Sequence, residues 1–150
     1  MSDHPQFDLS QITQNIFLGT NLCCIEKSHI QILLDIGVTA EINLEENNSD
    51  ATPQVPIYMW LPVEDKTAPN MEQLAAGVGL IDQMTKRNKK VYVHCKYGHG
   101  RSPTLVAAYL ISQGKTVDEA IEMIASARPE IHIEEAQKQA LQEYYNLTNK

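Results

Sequence analysis

One cysteine stands between a short apolar run and a glycine-rich loop in HCKYGHGRSP, residues 94–103. The run VYV before it, at 91–93, is too short and too apolar for an exposed strand, so it predicts a central strand in a mainly parallel sheet. Gly98 and Gly100 permit a tight loop, and Pro103 suits the first turn of a helix because its missing N–H would be unpaired there. A strand, a loop and a helix in this order constrain the chain to an α/β fold, with the loop at the carboxyl edge of the sheet.

The rest of the chain alternates between strand and helix patterns. Short apolar runs predict strands at residues 15–19, 38–44, 57–63 and 91–95. Apolar residues at helical spacing predict helices at residues 25–37, 70–87, 102–114, 116–128 and 134–147. Asn70 and the pair Thr116 and Glu119 should begin two of these helices, and Gly37 and Gly114 should end two others. The predicted fold class is α/β, with a central, mainly parallel sheet of about four to five strands flanked by helices.

Length and composition indicate a single domain. The 150 residues are 43 % hydrophobic, which is enough to bury one core, and no repeat divides them. The longest loop-like stretch, EENNSDATPQVP at 45–56, is rich in Asn, Asp and Pro and does not mark a domain boundary. We therefore expect one domain over residues 1–150, with its core at about 11–147.

Charge and cysteine content argue against several classes of protein. A net charge of −7 and an isoelectric point of about 5.1 disfavour a nucleic-acid binder, which would show a basic patch. The three cysteines are an odd number, and Cys23 and Cys24 are adjacent, which favours a reducing compartment over a disulfide framework. The opening residues lack the basic and apolar regions of a signal peptide, and no run approaches the ~18 apolar residues of a membrane span. These features predict a cytoplasmic protein without stable membrane insertion.

The loop after Cys95 has the features of an anion cradle. Its glycines and the positive end of the following helix dipole allow its backbone N–H groups to converge on one point. A tetrahedral phosphate fits such a cradle, and Arg101 can hold two of its oxygens in a bidentate fork, which a lysine cannot do. The predicted phosphate-binding residues are Lys96, Tyr97, Gly98, His99, Gly100 and Arg101.

Cys95 is the predicted nucleophile of this loop. Helix N-termini and nearby cations favour the thiolate over the thiol, so we expect Cys95 to be largely thiolate at neutral pH. Its attack on a bound phosphate ester would give a phosphocysteine intermediate that water then hydrolyses, with no metal or other cofactor required. Ser102 can donate its hydroxyl to the sulfur and stabilise the departing thiolate. His94 is expected to orient the loop through hydrogen bonding.

The oxygen that leaves phosphorus needs a proton, so a carboxylic acid should reach the loop from another part of the chain. LPVEDKTAPN, residues 61–70, follows a predicted strand and carries Glu64 and Asp65 at the same carboxyl edge of the sheet. From the residues alone both carboxyls are candidates, and both could instead solvate a turn or cap the helix that begins near Asn70.

These segments together resemble the small dual-specificity members of the cysteine-based (CX5R) protein tyrosine phosphatase superfamily. VHCKYGHGRSPTLVAAYL is similar to the signature loop and helix of that family, ITQNIFLG to its opening strand, and LLDIGVTAEINL to a helix, glycine turn and next strand. The resemblance implies that Cys95 is the nucleophile, Arg101 the phosphate clamp and Ser102 the hydroxyl that follows it. It also selects Asp65 as the general acid.

A further similarity concerns the C-terminal part of the chain. RPEIHIEEAQ is similar to a segment that in some members of the family brings a glutamine toward the site. The resemblance therefore makes Gln137 a candidate for positioning the water that attacks the phosphocysteine.

The expected substrates are phosphorylated proteins. The stretch 45–56 supplies no aromatic wall of the kind that deepens the pocket of tyrosine-specific relatives, so we expect a shallow pocket that admits phosphoserine, phosphothreonine and phosphotyrosine. Inositol phospholipids or other phospholipids are the alternative, because Lys96, His99 and Lys66 could give the pocket a basic rim. The basic cluster KRNKK at 86–90 precedes the strand and should lie at the opposite edge of the sheet.

Two other readings use the same cysteine differently. An inactive phosphate-binding module would usually lack the nucleophile, the clamp, the hydroxyl or the acid, and all four are present here. A sulfur-transfer domain of the rhodanese kind would leave Asp65 and the helix start at Ser102 unexplained. Cys23 or Cys24 could serve as a resolving thiol for an oxidised Cys95, although packing is the commoner role of such residues. The chain is expected to act as a monomer.

Overall fold

A computed structural model describes residues 7–21, 27–47 and 55–149. Within these ranges the chain forms five strands and five helices. The strands are β1 (Leu9–Gln11), β2 (Ile16–Gly19), β3 (Val38–Glu45), β4 (Ile57–Val63) and β5 (Lys90–His94). The helices are α1 (Lys27–Ile36), α2 (Met71–Lys86), α3 (Arg101–Ser112), α4 (Val117–Ala127) and α5 (Glu135–Thr148). The strands and helices expected from the sequence are confirmed, with bounds close to those predicted.

The strands form one mixed sheet in the order β1-β2-β5-β3-β4. β5 is central and pairs in parallel with both β2 and β3. β3 also pairs in parallel with β4, and among the described strands only β1 is antiparallel to its neighbour. The sequence does not predict β1, because its three residues LSQ carry no alternating pattern and become a strand only through pairing with β2.

The two faces of the sheet differ in chemistry along β3. Residues on one face are apolar and join the main core with α2, α3, α4 and α5: Ala40, Ile42 and Leu44. Residues on the other face are polar and still buried: Glu41, Asn43 and Glu45. Because strand residues alternate between faces, Cys95 lies with the main core, whereas His94 lies on the polar face and stacks on Tyr92.

Local signals set the ends of the helices as predicted. Asn70 begins α2 with a reciprocal capping box to Gln73, and Thr116 begins α4 with the same arrangement to Glu119. Each cap satisfies helix N–H groups that would otherwise be unpaired and contributes roughly 1 kcal/mol to stability. Gly37 has φ 99° directly after α1, in the left-handed region that glycine adopts without strain.

The carboxyl ends of the parallel strands meet at one edge of the sheet. β5 ends at His94, one residue before the cysteine, and β4 ends at Val63, one residue before Glu64. The basic cluster 86–90 lies at the amino end of β5, on the opposite edge, as expected. In the described ranges no helix has the length and apolarity needed to cross a bilayer.

Candidate active site

Cys95 lies at the carboxyl end of the central strand and is only 2 % exposed. Its Sγ is 3.2 Å from the hydroxyl oxygen of Ser102, which is in the first turn of α3. The segment from Cys95 to Arg101, called here the Cys95 loop (residues 95–101), therefore closes back on itself. The predicted contact between the sulfur and the Ser102 hydroxyl is present, and this hydroxyl can donate to a thiolate at that distance.

The backbone of the Cys95 loop has its carbonyl groups tied to surrounding residues. The Lys96 carbonyl accepts from the Asn21 N–H at 3.2 Å, and the His99 carbonyl accepts from the His132 N–H at 2.7 Å. The carbonyls of Tyr97 and Gly98 accept from a side chain described below. In a trans peptide the C=O and the next N–H point in opposite directions, and no described peptide is cis. The N–H groups of residues 97–100 are thus turned away from these partners, toward the interior of the loop.

Arg128 supports this loop from behind and was not singled out from the sequence. Its Nε donates to the Gly98 carbonyl at 2.9 Å and its Nη2 to the Tyr97 carbonyl at 2.8 Å. Its Nη1 donates to the Ser10 hydroxyl at 3.0 Å and to the Asp8 carboxylate. The side chain is completely buried at the end of α4. A charged residue placed directly after a capped helix and before Pro129 was the only sequence signal for it.

Two features of the Cys95 loop require glycine at position 98. Its φ is 72°, which places it in the left-handed region. A Cβ at this position would lie 2.7 Å from the Gly19 carbonyl oxygen and 2.9 Å from Arg128 Nη2. The loop therefore rests directly on the end of β2 and on the guanidinium, with no room for a side chain.

Arg101 faces the Asp65 segment from the start of α3. Its Nη1 donates to the Val63 carbonyl at 2.9 Å, and its Nη2 lies 3.7 Å from Asp65 Oδ1. Its Nε is buried and has no hydrogen-bond partner among the described residues. A buried unpaired donor costs about 1–3 kcal/mol, which an anion bound by the loop would offset. The guanidinium is anchored at one end and has capacity for a ligand at the other.

The predicted acid lies on a tight turn, called here the Asp65 turn (residues 64–67). The Glu64 carbonyl accepts from the Thr67 N–H at 3.1 Å and from the Thr67 hydroxyl at 2.6 Å. Lys66 has φ 69°, a left-handed conformation that is strained for a lysine. Glu64 thus stabilises the turn with its backbone carbonyl. The Asp65 side chain is 66 % exposed, and its carboxylate lies near Arg101.

Gln137 lies where the Cys95 loop and the Asp65 turn approach each other. Its Nε2 donates to the Thr67 carbonyl at 3.0 Å, and its Oε1 accepts from the Glu134 N–H at 2.8 Å. Both amide atoms lie 3.0–3.1 Å from the position that a Cβ on Gly100 would occupy. The residue is fully buried at the start of α5. The structure therefore brings Gln137 to the site, as the resemblance implied.

His94 is held beneath the loop by an acid on the neighbouring strand. Its Nε2 lies 2.7 Å from Glu41 Oε2, and both side chains are almost fully buried. Its ring stacks on Tyr92 with 5.4 Å between the ring centres. Burial raises the pKa of Tyr92 well above 10, although Arg128 and a hydrogen bond to Thr20 oppose that shift. The predicted orienting residue thus has a specific partner, Glu41, that sequence reasoning missed; a lone acid within the apolar run VTAEINL was the available signal.

The rim of the loop carries an aromatic pair. The Tyr97 ring is 42 % exposed and stacks on His99 with 5.9 Å between the ring centres. The Lys96 ammonium lies 5.3 Å from the centre of the Tyr97 ring, within the range of a cation–π contact. The rim therefore combines a cation with exposed aromatic surface. The two cysteines considered as resolving thiols, Cys23 and Cys24, lie outside the described residues.

Comparison with known proteins adds independent information. The family model of the dual specificity phosphatase catalytic domain matches residues 16–147. The chain is 38 % identical over 129 residues to phosphatidylglycerophosphate phosphatase PTPMT1 of Arabidopsis thaliana, covering 80 % of this chain and 38 % of that protein. It is 31 % identical over 115 residues to dual specificity protein phosphatase 5 of Homo sapiens, covering 74 % of this chain and 29 % of that protein. It thus spans less than half the length of either relative.

Solved structures agree with the sequence comparisons. A crystal structure of PTPMT1 in complex with PI(5)P matches with a TM-score of 0.83 and 29 % identity, covering 94 % of this chain and 96 % of that chain. The family match extends from β2 almost to the end of α5 and includes the Cys95 loop, the Asp65 turn and Arg128. This chain belongs to the dual specificity phosphatase family.

Proposed function

We propose that this chain hydrolyses phosphate monoesters on proteins, with Cys95 as the nucleophile. The observation that carries the proposal is the outward anchoring of four successive carbonyls, which leaves the N–H groups of residues 97–100 on the inside of the loop. These N–H groups and Arg101 would bind the phosphate oxygens in front of the cysteine sulfur. The helix dipole of α3 favours negative charge at the same place.

The first chemical step transfers the phosphoryl group to the enzyme. The Cys95 thiolate attacks phosphorus, a sulfur–phosphorus bond forms, and the bond from phosphorus to the ester oxygen breaks. Asp65 gives its proton to that oxygen, so the product leaves as a neutral alcohol or phenol. The Asp65 carboxyl lies 3.7 Å from Arg101 Nη2, which supports a position beside the bound phosphate.

The second step returns the enzyme to its starting state. Water attacks the phosphocysteine, an oxygen–phosphorus bond forms, and the sulfur leaves as thiolate. Asp65 takes a proton from the water, and the Ser102 hydroxyl donates to the sulfur across the 3.2 Å contact. Gln137 orients the water, since its amide lies between the Asp65 turn and Gly100.

The exposure of the acid supports dual specificity. The Asp65 side chain is two-thirds exposed, so the proton donor stands at the protein surface and not at the bottom of a cleft. The short side chains of phosphoserine and phosphothreonine can reach such a site, and the longer phosphotyrosine can reach it as well. This observation supports phosphorylated proteins as the substrate class.

A second candidate substrate class is the phosphorylated lipid head group. At the rim, the Lys96 ammonium and the His99 ring both contact the ring of Tyr97. A second phosphate could bind to these side chains. Two of the similar proteins support this class, since one is named a phosphatidylglycerophosphate phosphatase and the other was solved with PI(5)P.

The deciding experiment measures kcat/KM in EDTA near pH 6 with phosphotyrosine peptides, phosphothreonine peptides and vesicles that contain inositol phospholipids. Cys95→Ser, which lacks the nucleophile, is the blank. Peptide turnover that disappears in the blank would support the protein phosphatase. Turnover confined to vesicles would move the function to lipids, and no turnover on any substrate would leave a phosphate-binding module as the better description.

A further inference from the structure

Arg128 connects the Cys95 loop to the hairpin formed by β1 and β2. Two of its nitrogens hold the Tyr97 and Gly98 carbonyls in the middle of the loop. Its third nitrogen, Nη1, donates to Ser10 in β1 and to Asp8 directly before β1. One buried side chain therefore joins the edge of the sheet to the proposed phosphate site.

The hairpin fixes Asp8 without help from Arg128. The Asp8 N–H donates to the Thr20 hydroxyl at 3.1 Å, and the Thr20 N–H and hydroxyl donate to the Asp8 carbonyl at 3.1 and 3.3 Å. Thr20 follows β2 directly, so these bonds continue the pairing of the two strands. The main chain of Asp8 is thereby held at a defined place, from which its carboxylate accepts from the guanidinium.

A guanidinium is planar, so two hydrogen bonds from one nitrogen fix the plane and the directions in which the other two nitrogens point. When Asp8 and Ser10 hold Nη1, the directions of Nε and Nη2 toward the loop carbonyls are set. Those carbonyls belong to the same peptide planes as the N–H groups of Gly98 and His99. The orientation of two phosphate-facing N–H groups therefore depends on contacts made at the sheet edge.

We propose that Asp8 and Ser10 are positioning residues for the phosphate site and act on it through Arg128. The inference rests on the phosphate binding assigned to the Cys95 loop under the proposed function. By this inference the hairpin contributes to the affinity of the site for anions, although it does not contact the substrate. Support of this kind keeps binding groups within the narrow geometry that they require.

Charge alone makes the opposite prediction for Asp8. Removal of a negative charge near the loop raises the positive potential there and should strengthen phosphate binding. Loss of positioning should weaken binding. Glu130 Oε1 also lies 3.4 Å from Arg128 Nη1, so the guanidinium keeps one acidic neighbour when Asp8 is replaced. The direction of the change in affinity therefore separates the two effects.

The test uses inorganic phosphate as the probe and isothermal titration calorimetry of the full chain. Asp8→Ala should raise the Kd for phosphate about tenfold and Ser10→Ala about threefold, as expected for lost bonds to a charged group. Asp8→Asn keeps an oxygen that can accept from Nη1 and should recover part of the affinity. Asp82→Asn removes an equal charge from a surface ion pair with Lys86 on α2 and should leave the Kd unchanged.

A merely structural role would lower the melting temperature of Asp8→Ala without changing the Kd of the folded protein. A Kd within twofold of the parent, or a tighter one, would overturn the inference. If Asp8→Ala does not fold, Ser10→Ala decides the question by the same criterion. A parent that binds phosphate but hydrolyses no ester would refute the proposed function and leave this comparison valid, whereas a parent that binds no phosphate would refute both.

Discussion

The Cys95 loop and the Asp65 turn meet at Arg101 but are built in opposite ways. The loop is partly buried, and its carbonyls are bonded to Asn21 after β2, Arg128 at the end of α4 and His132 before α5. The turn is exposed and is closed by the bonds from Thr67 to Glu64, with one further bond from Gln137. The nucleophile therefore belongs to a loop held by many hydrogen bonds to other parts of the fold, and the acid to an exposed turn held by few.

This difference matches the chemistry proposed for each region. Stabilisation of the charge on phosphate requires donors that are already in place, because reorganisation during the reaction would raise the barrier. A proton donor must instead serve leaving groups of different length and must also release the product. Segments with few buried contacts open at low free energy, which suits the second role. The comparison predicts that changes in the loop affect binding and chemistry, whereas changes in the turn affect chemistry alone.

The largest effect is expected for Arg101→Lys. A lysine loses both the bidentate grip on phosphate and the bond to the Val63 carbonyl, so kcat/KM with p-nitrophenyl phosphate should fall about 10³-fold. KM should rise and kcat should fall together, because the loop serves both binding and catalysis. Arg87→Lys at the end of α2 is the matched control and should behave as the parent. A loss confined to kcat would contradict the assignment of Arg101 to phosphate binding.

Asp65→Asn should have the next largest effect and should act on kcat. The amide cannot donate the required proton, so kcat with an alkyl phosphate ester should fall about 10²-fold, within the usual range for a general acid. The decrease should be smaller with p-nitrophenyl phosphate, whose leaving group needs less protonation.

Glu64→Gln is the control for this variant, because Glu64 contributes to the turn through its backbone. Its kcat should stay within about twofold of the parent value, as for a surface substitution. Equal decreases in kcat for Glu64→Gln and Asp65→Asn would contradict the assignment of Asp65 alone as the general acid.

Glu41→Gln tests whether support of the loop extends through the sheet. The glutamine keeps an oxygen near His94 but loses the charge, so the free energy of unfolding should fall by about 1–3 kcal/mol. Urea denaturation near pH 7 measures it. Glu72→Gln, at an exposed position of α2, is the matched control and should change stability little. Wild-type stability in Glu41→Gln would show that the buried pair does not support the loop.

The smallest effect is expected for Tyr92→Phe and depends on pH. Loss of the bond to the Thr20 carbonyl should cost about 1 kcal/mol at pH 8. Burial raises the pKa of the folded Tyr92 well above the unfolded value near 10, so the folded state binds more protons at high pH. That contribution is fully present below pH ~10 and is lost as the pH rises further.

The phenylalanine variant cannot titrate at position 92 and should therefore lose less stability than the parent between about pH 10 and 11. Thermal denaturation of both proteins over this range gives the comparison, with Tyr145→Phe as the control. Parallel pH dependence of the parent and Tyr92→Phe would mean that Tyr92 does not contribute.

Features of the fold that depend on residues close together in the sequence could be predicted from it. The strand and helix that flank Cys95, the capping boxes at Asn70 and Thr116 and the turn at Gly37 all arise from local spacing and backbone preference. β1 could not be predicted in this way, because its identity as a strand comes from pairing with β2.

The candidate site divides along the same line. Cys95, Arg101 and Ser102 lie in one short motif, so their proximity is inherent in the sequence. Glu41 and Arg128 reach the site only through β3 and the end of α4, and no local motif connects either residue with the Cys95 loop. The sequence motif alone left both Glu64 and Asp65 as candidates for the acid. In the turn, Glu64 contributes its backbone carbonyl as an acceptor for Thr67, whereas the Asp65 carboxylate approaches Arg101.

The partners that shape the loop come from distant parts of the chain, which has a consequence for folding. Arg128 and Asp8 are 120 residues apart in sequence, and His94 and Glu41 are 53 apart. Contacts of such long range form late, because the closure of large loops must precede them. During synthesis the Cys95 loop should therefore lack its final geometry until the end of α4 docks. In refolding from urea, hydrolysis of p-nitrophenyl phosphate should return with the slowest phase of Trp60 fluorescence; activity that precedes it would contradict this order.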